Sequence, residues 1–242
     1  VRSARVKYLA DLFFKVAVSV FLIFIISFVI SGGYYKATGV SKVFGFSVPN
    51  GLERATKFIK ENKIKGPMFN NFDIGGYLIW ELYPGEKVFV DNRPEAYSVE
   101  FFDQIYKPMQ EREEKWEELS EKYKINFIFF AHTDATPWGQ SFLKNVIQSP
   151  KWKMVYVNEN AVVFLKDVSE NREAISRLAF SDGNAVEKAS GFMADTNGDK
   201  SYTNLVLSRF FFNLNWRQTA VHFAEEAIKL NPKDKQAYLN KG

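Results

Sequence analysis

A long uncharged, apolar run opens the hydrophobic pattern of the chain. Residues 16–35, VAVSVFLIFIISFVISGGYY, contain no charged side chain. A helix of this length, at about 1.5 Å per residue, spans the roughly 30 Å hydrocarbon thickness of a bilayer. A core helix rarely extends this far without a polar face, and no small-residue cleavage site follows. The pattern therefore predicts one transmembrane helix, with a buried core helix and a cleaved signal peptide as the alternatives.

After residue 49 the pattern alternates between helical and strand-like segments, which is typical of an α/β domain. Helices are predicted over 51–62, 76–82, 107–124 and 139–148, and strands over 68–70, 87–91 and 125–131. Two further apolar segments, 152–157 and 161–166, flank a turn-prone Asn-Glu-Asn sequence and predict a closing β-hairpin. The prediction is a mixed sheet of about five strands with flanking helices over residues 50–167.

The last part of the chain carries the spacing of a helical repeat. If Ser201 is the first position of a 34-residue unit, Ala220, Ala227 and Pro232 occupy positions 20, 27 and 32, which match the tetratricopeptide pattern. Residues 201–242 are therefore predicted to form an all-α tetratricopeptide-like helical hairpin and the start of the next unit. An unrelated helical hairpin is the alternative.

These patterns divide the chain into five segments. They are a basic flank and span (1–35), a linker (36–49), the α/β domain (50–167), a polar linker with one short helix at 173–180 (168–200) and the repeat (201–242). Because such repeats bury their apolar faces against neighbours, we expect the chain to be a piece of a longer protein.

The charge distribution predicts orientation in a membrane. The net charge is +4, and the first fifteen residues hold four basic side chains against one acidic one. Only Lys36 and Lys42 follow soon after the span. By the positive-inside rule the N-terminal end is cytoplasmic and residues after about 36 are extracytoplasmic. The excess charge is thus explained by topology, and no nucleic-acid partner is expected.

The composition also limits the kinds of catalytic and metal-binding site that the chain can form. The chain has no cysteine, which excludes disulfides, thiol nucleophiles and Cys-ligated metals, and it has only two histidines. We expect no cofactor. The residues Asp195, Asn197 and Asp199 resemble the start of a calcium loop, but the glycine and glutamate that complete such a loop are replaced. That segment is predicted to be a turn and helix cap, without a metal.

A second stretch of sequence resembles a known family. Residues 69–80, FNNFDIGGYLIW, followed by Tyr83-Pro84 and by 87–97, KVFVDNRPEAY, resemble the soluble C-terminal domain that follows the last span of many polytopic prokaryotic membrane proteins. Those proteins are similar to the dolichyl-phosphate-mannose protein mannosyltransferase group, which transfers sugar from a polyprenyl-phosphate carrier. The resemblance covers about residues 49–166. It implies an extracytoplasmic location and architecture, since the family's catalytic carboxylates lie on loops near the first spans.

The loop after the predicted strand 87–91 holds candidate ligand-binding residues. The carboxyl ends of strands in open α/β sheets are where ligands tend to bind. An arginine beside carboxylates and a tyrosine could hold a phosphate or sugar hydroxyls, and the alternative is an ion pair that fastens the loop. The candidates are Asp91, Arg93, Glu95 and Tyr97, together with Asn70 and Asp73.

His132 follows the apolar segment 125–131. It could act as a general base, with Asp134 or Asp91 as its orienting partner and Ser141 as nucleophile. Because no GxSxG sequence supports this hypothesis, a loop-anchoring histidine is the preferred interpretation. The Gly75-Gly76 pair fits no phosphate-loop motif, and we predict that it lets a helix start close to another backbone segment.

The leading functional hypothesis is a non-catalytic extracytoplasmic region of a membrane glycosyltransferase-like protein. It would position an acceptor or partner at the membrane surface, with the bilayer, a protein or peptide, and a glycan or polyprenyl-phosphate sugar as candidate partners. The second hypothesis is a membrane-anchored tetratricopeptide scaffold with no sugar chemistry. The third is a hydrolase that uses His132.

Overall fold

A computed structural model describes residues 2–34, 51–193 and 199–241, and the chain divides into two compact units, Val1–Val48 and Pro49–Gly242. The predicted linker 36–49 lies outside the described residues, as do Asp195 and Asn197 of the calcium-like turn.

The first unit is built on one long helix, α1 (Arg2–Ile30). Its segment Val6–Ile30 has a mean hydropathy of 2.7, and none of its most apolar stretch is buried. Ser19 donates its hydroxyl to a backbone carbonyl of the same helix, and Ser31, just after the helix, donates to the carbonyl of Phe28, so these two polar side chains are satisfied locally. The helix is long and apolar enough to cross a membrane, and a signal sequence would share those properties. A helix from a protein core, in contrast, would be mostly buried.

The second unit contains a mixed sheet of four strands in its described part. The strands are β1 (Met68–Asn70), β2 (Phe127–Ala131), β3 (Trp152–Val157) and β4 (Ala161–Lys166), and their order is β1-β2-β4-β3. β1 pairs with β2 in parallel, while β4 is antiparallel to both β2 and β3. The hairpin of β3 and β4 is confirmed with the predicted bounds. The predicted strand 125–131 begins two residues later than expected.

The predicted fifth strand, 87–91, is wrong: these residues form no ladder with the sheet. The side chain of Asn70 takes the place of a neighbouring backbone. Its Nδ2 donates to the carbonyl of Val90 at 2.8 Å, and its Oδ1 accepts from the amide of Phe89 at 2.8 Å. The apolar pattern predicted burial at Val90 correctly, but it could not show that a side chain would supply the hydrogen bonds.

Helices cover the sheet on both faces. They are α2 (Leu52–Glu61), α3 (Gly75–Leu82), α4 (Lys107–Glu111), α5 (Glu113–Lys122), α6 (Pro137–Gln148), α7 (Arg172–Leu178) and α8 (Ala185–Met193). The predicted helix 107–124 is divided because Arg112 is extended, with φ −129° and ψ 120°. A π-helix, Phe101–Tyr106, precedes it. α8 lies in the segment 168–200, for which one short helix is predicted, and the described part of that segment contains both α7 and α8.

Three further helices follow: α9 (Lys200–Asn213), α10 (Arg217–Leu230) and α11 (Lys235–Lys241). α9 and α10 pack against each other, and the rings of Phe211 and Phe223 stack with their centroids 5.6 Å apart. The small side chains of Ala220 and Ala227 are buried at this contact, where they allow the two helices to approach closely.

The core has two parts, one on each face of the sheet. Ile128 and Phe130 face one cluster, which also contains Trp116 and Phe142 and the buried aromatic residues of α9 and α10. Phe127 and Phe129 face the other cluster, which includes residues of α2 and α3. β2 is therefore covered on both sides, which explains its continuous apolar sequence.

Candidate functional site

Three of the candidate ligand residues form a compact cluster. The Asp91 side chain is buried, and Arg93 binds it with two hydrogen bonds, Nε to Oδ1 at 2.8 Å and Nη2 to Oδ2 at 2.7 Å. The Tyr97 hydroxyl accepts from the amide of Asp91 at 2.9 Å and donates to its Oδ2 at 3.1 Å. This two-point contact between a guanidinium and a carboxylate fastens the loop that crosses α3.

The cluster also fixes the charge of its members. The hydrogen bonds from Arg93, helped by that from Tyr97, lower the pKa of Asp91 to about 2. Burial raises the pKa of the Tyr97 hydroxyl above its usual range. Asp91 is thus a carboxylate and Tyr97 a neutral phenol at neutral pH. The outer part of the Arg93 side chain faces solvent, because 62% of the side chain is exposed.

The other candidates near this loop take no part in the cluster. Glu95 and Asp73 are exposed on the surface, and the ion pair of Arg93 is with Asp91. Asn70 is completely buried and holds the segment after α3 in place. The structure therefore brings together Asp91, Arg93 and Tyr97, and it does not add Glu95 or Asp73 to them.

Gly75 explains how the loop can lie so close to α3, which starts at this residue. A Cβ atom on Gly75 would overlap the carbonyl oxygen of Val90 and would lie 2.5 Å from Cα of Asp91. The prediction that the glycine pair lets a helix start against another backbone segment is confirmed.

His132 directly follows β2 and is buried. Its Nε2 is 2.6 Å from the carbonyl oxygen of Asn158, and its ring packs on Phe210 with centroids 4.6 Å apart. Because a carbonyl oxygen can only accept, Nε2 carries the proton. Burial lowers the pKa of His132 to about 4, so the ring is neutral at pH 7.

The geometry does not support the hydrolase hypothesis. The Asp134 carboxylate accepts from the amide and hydroxyl of Thr136, at 2.7 and 2.6 Å, and from Nδ2 of Asn71 at 3.3 Å. Thr136 in turn caps α6. Asp134 thus orders the turn before a helix, and His132 anchors β2 to the β3–β4 turn, as the preferred interpretation predicts.

The β3–β4 turn holds a polar cluster that the sequence analysis missed. Asn158 is completely buried: its Nδ2 donates to Gly51 O at 2.8 Å, and its Oδ1 accepts from the amide of Ala161 at 2.9 Å. Glu159 is also buried and accepts two hydrogen bonds of 2.6 Å from Arg54. The sequence signal that could have found this cluster is an acidic residue inside a short turn between two mainly apolar strands.

A groove opens between α6, α9 and α11. It encloses about 410 Å³, within the range of ligand-binding pockets. Its apolar lining includes Leu143, Ile147, Leu205 and Val206, and two cations, Lys144 and Arg209, stand along it. No ion pair involves either cation in the part of the chain that the structure describes.

Asp199 is the described member of the calcium-like turn. It is the N-cap of α9, where its side chain accepts from the amides of Ser201 and Tyr202 at 2.8 and 3.3 Å. The predicted helix cap is confirmed at this residue. Among the described residues there is no group of three or more histidine, aspartate or glutamate side chains that could hold a metal ion.

Comparison of the chain with protein-family models, with curated proteins and with solved structures finds no match.

Proposed function

We propose that the chain is a membrane-tethered, non-catalytic module that holds its α/β unit outside the cytoplasm and positions a partner at the membrane surface. By its resemblance, it is the C-terminal region of a protein that transfers sugar from a polyprenyl-phosphate carrier. Its helices from α9 onward serve as tetratricopeptide-like repeats that contact the partner.

The observation that carries the tether is the exposed apolar surface of α1. The segment Val6–Ile30 presents large side chains such as Phe21, Ile23 and Phe24 to the surroundings, each more than half exposed. Burying such side chains in hydrocarbon gains about 1.5–3 kcal/mol each relative to water. A bilayer is the environment in which this apolar surface is stable. A helix can enter it because its backbone hydrogen bonds are made within the helix.

The polar candidate residues already take part in contacts within the chain, which supports a binding role over a catalytic one. Asp91 is neutralised by Arg93, and the Nε2 proton of His132 is donated to a backbone carbonyl. His132 joins β2 to the β3–β4 turn and Asp91 fastens its own loop, so chemistry at either residue would require breaking a structural contact. The groove beside α9 offers surface for a partner without this requirement.

A scaffold with no sugar chemistry is the second candidate. It is favoured by the continuous core: buried residues of α9 and α10, such as Leu207 and Phe223, lie in the same cluster as residues of the sheet. In that role the sheet supports the helices, which present the groove to a protein partner. The two candidates differ in whether a lipid-linked sugar binds near the exposed side of Arg93. Titration of the detergent-solubilised chain with a polyprenyl-phosphate sugar, with Arg93→Gln as control, separates them.

The orientation of the chain in the membrane is tested by thiol labelling. The chain contains no cysteine, so only an introduced cysteine can react. One variant carries Ser181→Cys, an exposed position in the second unit, and the matched control carries Ser3→Cys before the apolar segment. With a membrane-impermeant maleimide on intact cells, we expect labelling of the first variant and no labelling of the second until the cells are permeabilised. The reverse pattern would overturn the proposed orientation.

A further inference from the structure

We infer that the groove between α6, α9 and α11 binds an acidic peptide segment that also carries apolar side chains. This inference rests on the proposed partner-binding function and names the chemistry of the partner. The groove would hold the apolar side chains on its floor and the carboxylates at its rim.

The floor of the groove is apolar and is formed by residues of two helices, α6 and α9. Leu143 from α6 and Phe210 from α9 are almost completely buried, and Leu205, Val206 and Ile147 are partly exposed beside them. This surface can bury leucine-sized side chains at about 25 cal/mol per Å² of apolar area. A purely ionic ligand would leave the floor in contact with water.

The helices that line the groove carry only basic charges. The three helices that line it contain five basic residues and no acidic residue: Lys144 in α6, Lys200 and Arg209 in α9, and Lys235 and Lys241 in α11. Lys241 is paired with Glu225 of α10. Lys144 and Arg209 line the groove itself and take part in no ion pair within the described residues.

The lining holds one acidic side chain, Asp134, and that carboxylate is already used. It accepts hydrogen bonds from Thr136 and Asn71 at the start of α6, so it does not neutralise the two cations by direct contact. His132, also in the lining, is neutral at pH 7 because burial lowers its pKa to about 4. A positive rim with no carboxylate bound to it is complementary to a partner that carries negative charge.

A peptide is the occupant that satisfies both features at once. An apolar side chain of such a segment can lie on the floor while a neighbouring carboxylate reaches Lys144 or Arg209, and the polar side chains of Gln236 and Asn240 from α11 also line the groove. Alternating apolar and acidic side chains would meet the floor and the rim in turn. A nucleic acid would satisfy the cations but not the apolar floor.

The test is a selection of peptides on the full chain held in phosphatidylcholine nanodiscs. A random phage-displayed 12-residue library is panned against this preparation, and the enriched peptides are synthesised and titrated by fluorescence anisotropy at about 0.15 M salt. We expect peptides enriched in aspartate or glutamate together with leucine, isoleucine or phenylalanine.

The decisive comparison uses two variants of equal net charge. Lys144→Gln with Arg209→Gln removes the groove cations, and Lys57→Gln with Lys229→Gln removes two exposed lysines that lie outside the groove. We expect about tenfold or more weaker binding for the first pair and a change below about twofold for the second. All four positions are exposed, so thermal unfolding should confirm that both variants remain folded.

Three results would overturn the inference: no enriched peptide, enriched peptides without acidic residues, or equal losses in the two variants. Its failure is distinguishable from failure of the proposed function. If the chain is tethered with the second unit outside the cytoplasm but binds no acidic peptide, only the inference falls. If the chain binds the peptides but is released from membranes, the tether falls and the inference stands.

Discussion

At the scale of single residues, burial decides the roles of the polar candidates. Asp91 and His132 are both shielded from solvent, yet their neighbours fix different charge states. Asp91 is a carboxylate held by Arg93, and His132 is a neutral ring held by a backbone carbonyl. The sequence placed both residues at the ends of predicted strands. It grouped Arg93 and Tyr97 with Asp91, but it could not show that His132 contacts Asn158, which reaches it only through the tertiary structure.

Asp91→Asn is expected to lower the free energy of unfolding at pH 7 by about 1–3 kcal/mol, because the charge-assisted hydrogen bonds from Arg93 are lost. The pKa of Asp91 is lowered to about 2 in the folded chain, so its stabilisation is present above pH 4 and disappears as the pH falls towards 2. Chemical denaturation of the detergent-solubilised chain measures both effects. Glu95→Gln, at an exposed carboxylate of the same loop, is the control and should change stability by less than about 0.5 kcal/mol.

His132 should make the stability fall on mild acidification. Its pKa is about 4 in the folded chain and 6.5 when unperturbed, so the unfolded chain binds more protons between these values. Stability is therefore complete above pH 6.5 and declines as the pH falls towards 4, by up to about 3 kcal/mol. Denaturation curves at pH 7, 5.5 and 4.5 should be less pH-dependent for His132→Gln. An unchanged slope in that variant, or a slope lost in His222→Gln instead, would contradict the assignment.

At the scale of elements, local sequence patterns predicted most strands of the sheet. They missed features that depend on contacts with side chains distant in the sequence. β3 and β4 follow from their apolar runs, and β2 from its continuous hydrophobic sequence. The segment 87–91 fails as a strand because Asn70 occupies its hydrogen-bonding groups. α8 was not predicted because its buried side chains, Ala185 and Ala189, are small and give a weak apolar period.

The start of α3 offers a test of close backbone packing. Gly75→Ala should lower the free energy of unfolding by at least about 2 kcal/mol, because the added methyl group meets the backbone of Val90 and Asp91. Gly191→Ala is the matched control: this helical position has no atom within 4 Å of an added Cβ. It should be stabilised by about 0.5–1 kcal/mol. Equal effects at the two glycines would show that the loop does not lie against α3.

At the scale of the whole molecule, composition and pattern indicate an apolar helix followed by an α/β region, and the structure has both. The candidate groove could not be predicted in the same way. Its lining comes from α6, α9 and α11, whose residues are up to about a hundred positions apart in the sequence. The sequence marked α9 as part of a repeat, but only the tertiary structure places Arg209 and Lys144 along one groove.

The proposed function depends on α1 holding the chain in a membrane. The apolar surface of α1 should keep the protein in the membrane pellet after alkaline carbonate extraction, with α1 still attached. Leu22→Arg with Ile26→Arg places two charges on one face of the helix and should release the protein, while Leu22→Ala with Ile26→Ala should not.

The most direct measurement is therefore carbonate extraction of membranes from cells that express the chain, followed by the intact mass of the recovered protein. We expect a pelleted protein whose mass includes Val6–Ile30. A protein recovered in the soluble fraction, or one whose mass shows that this segment has been removed, would contradict it.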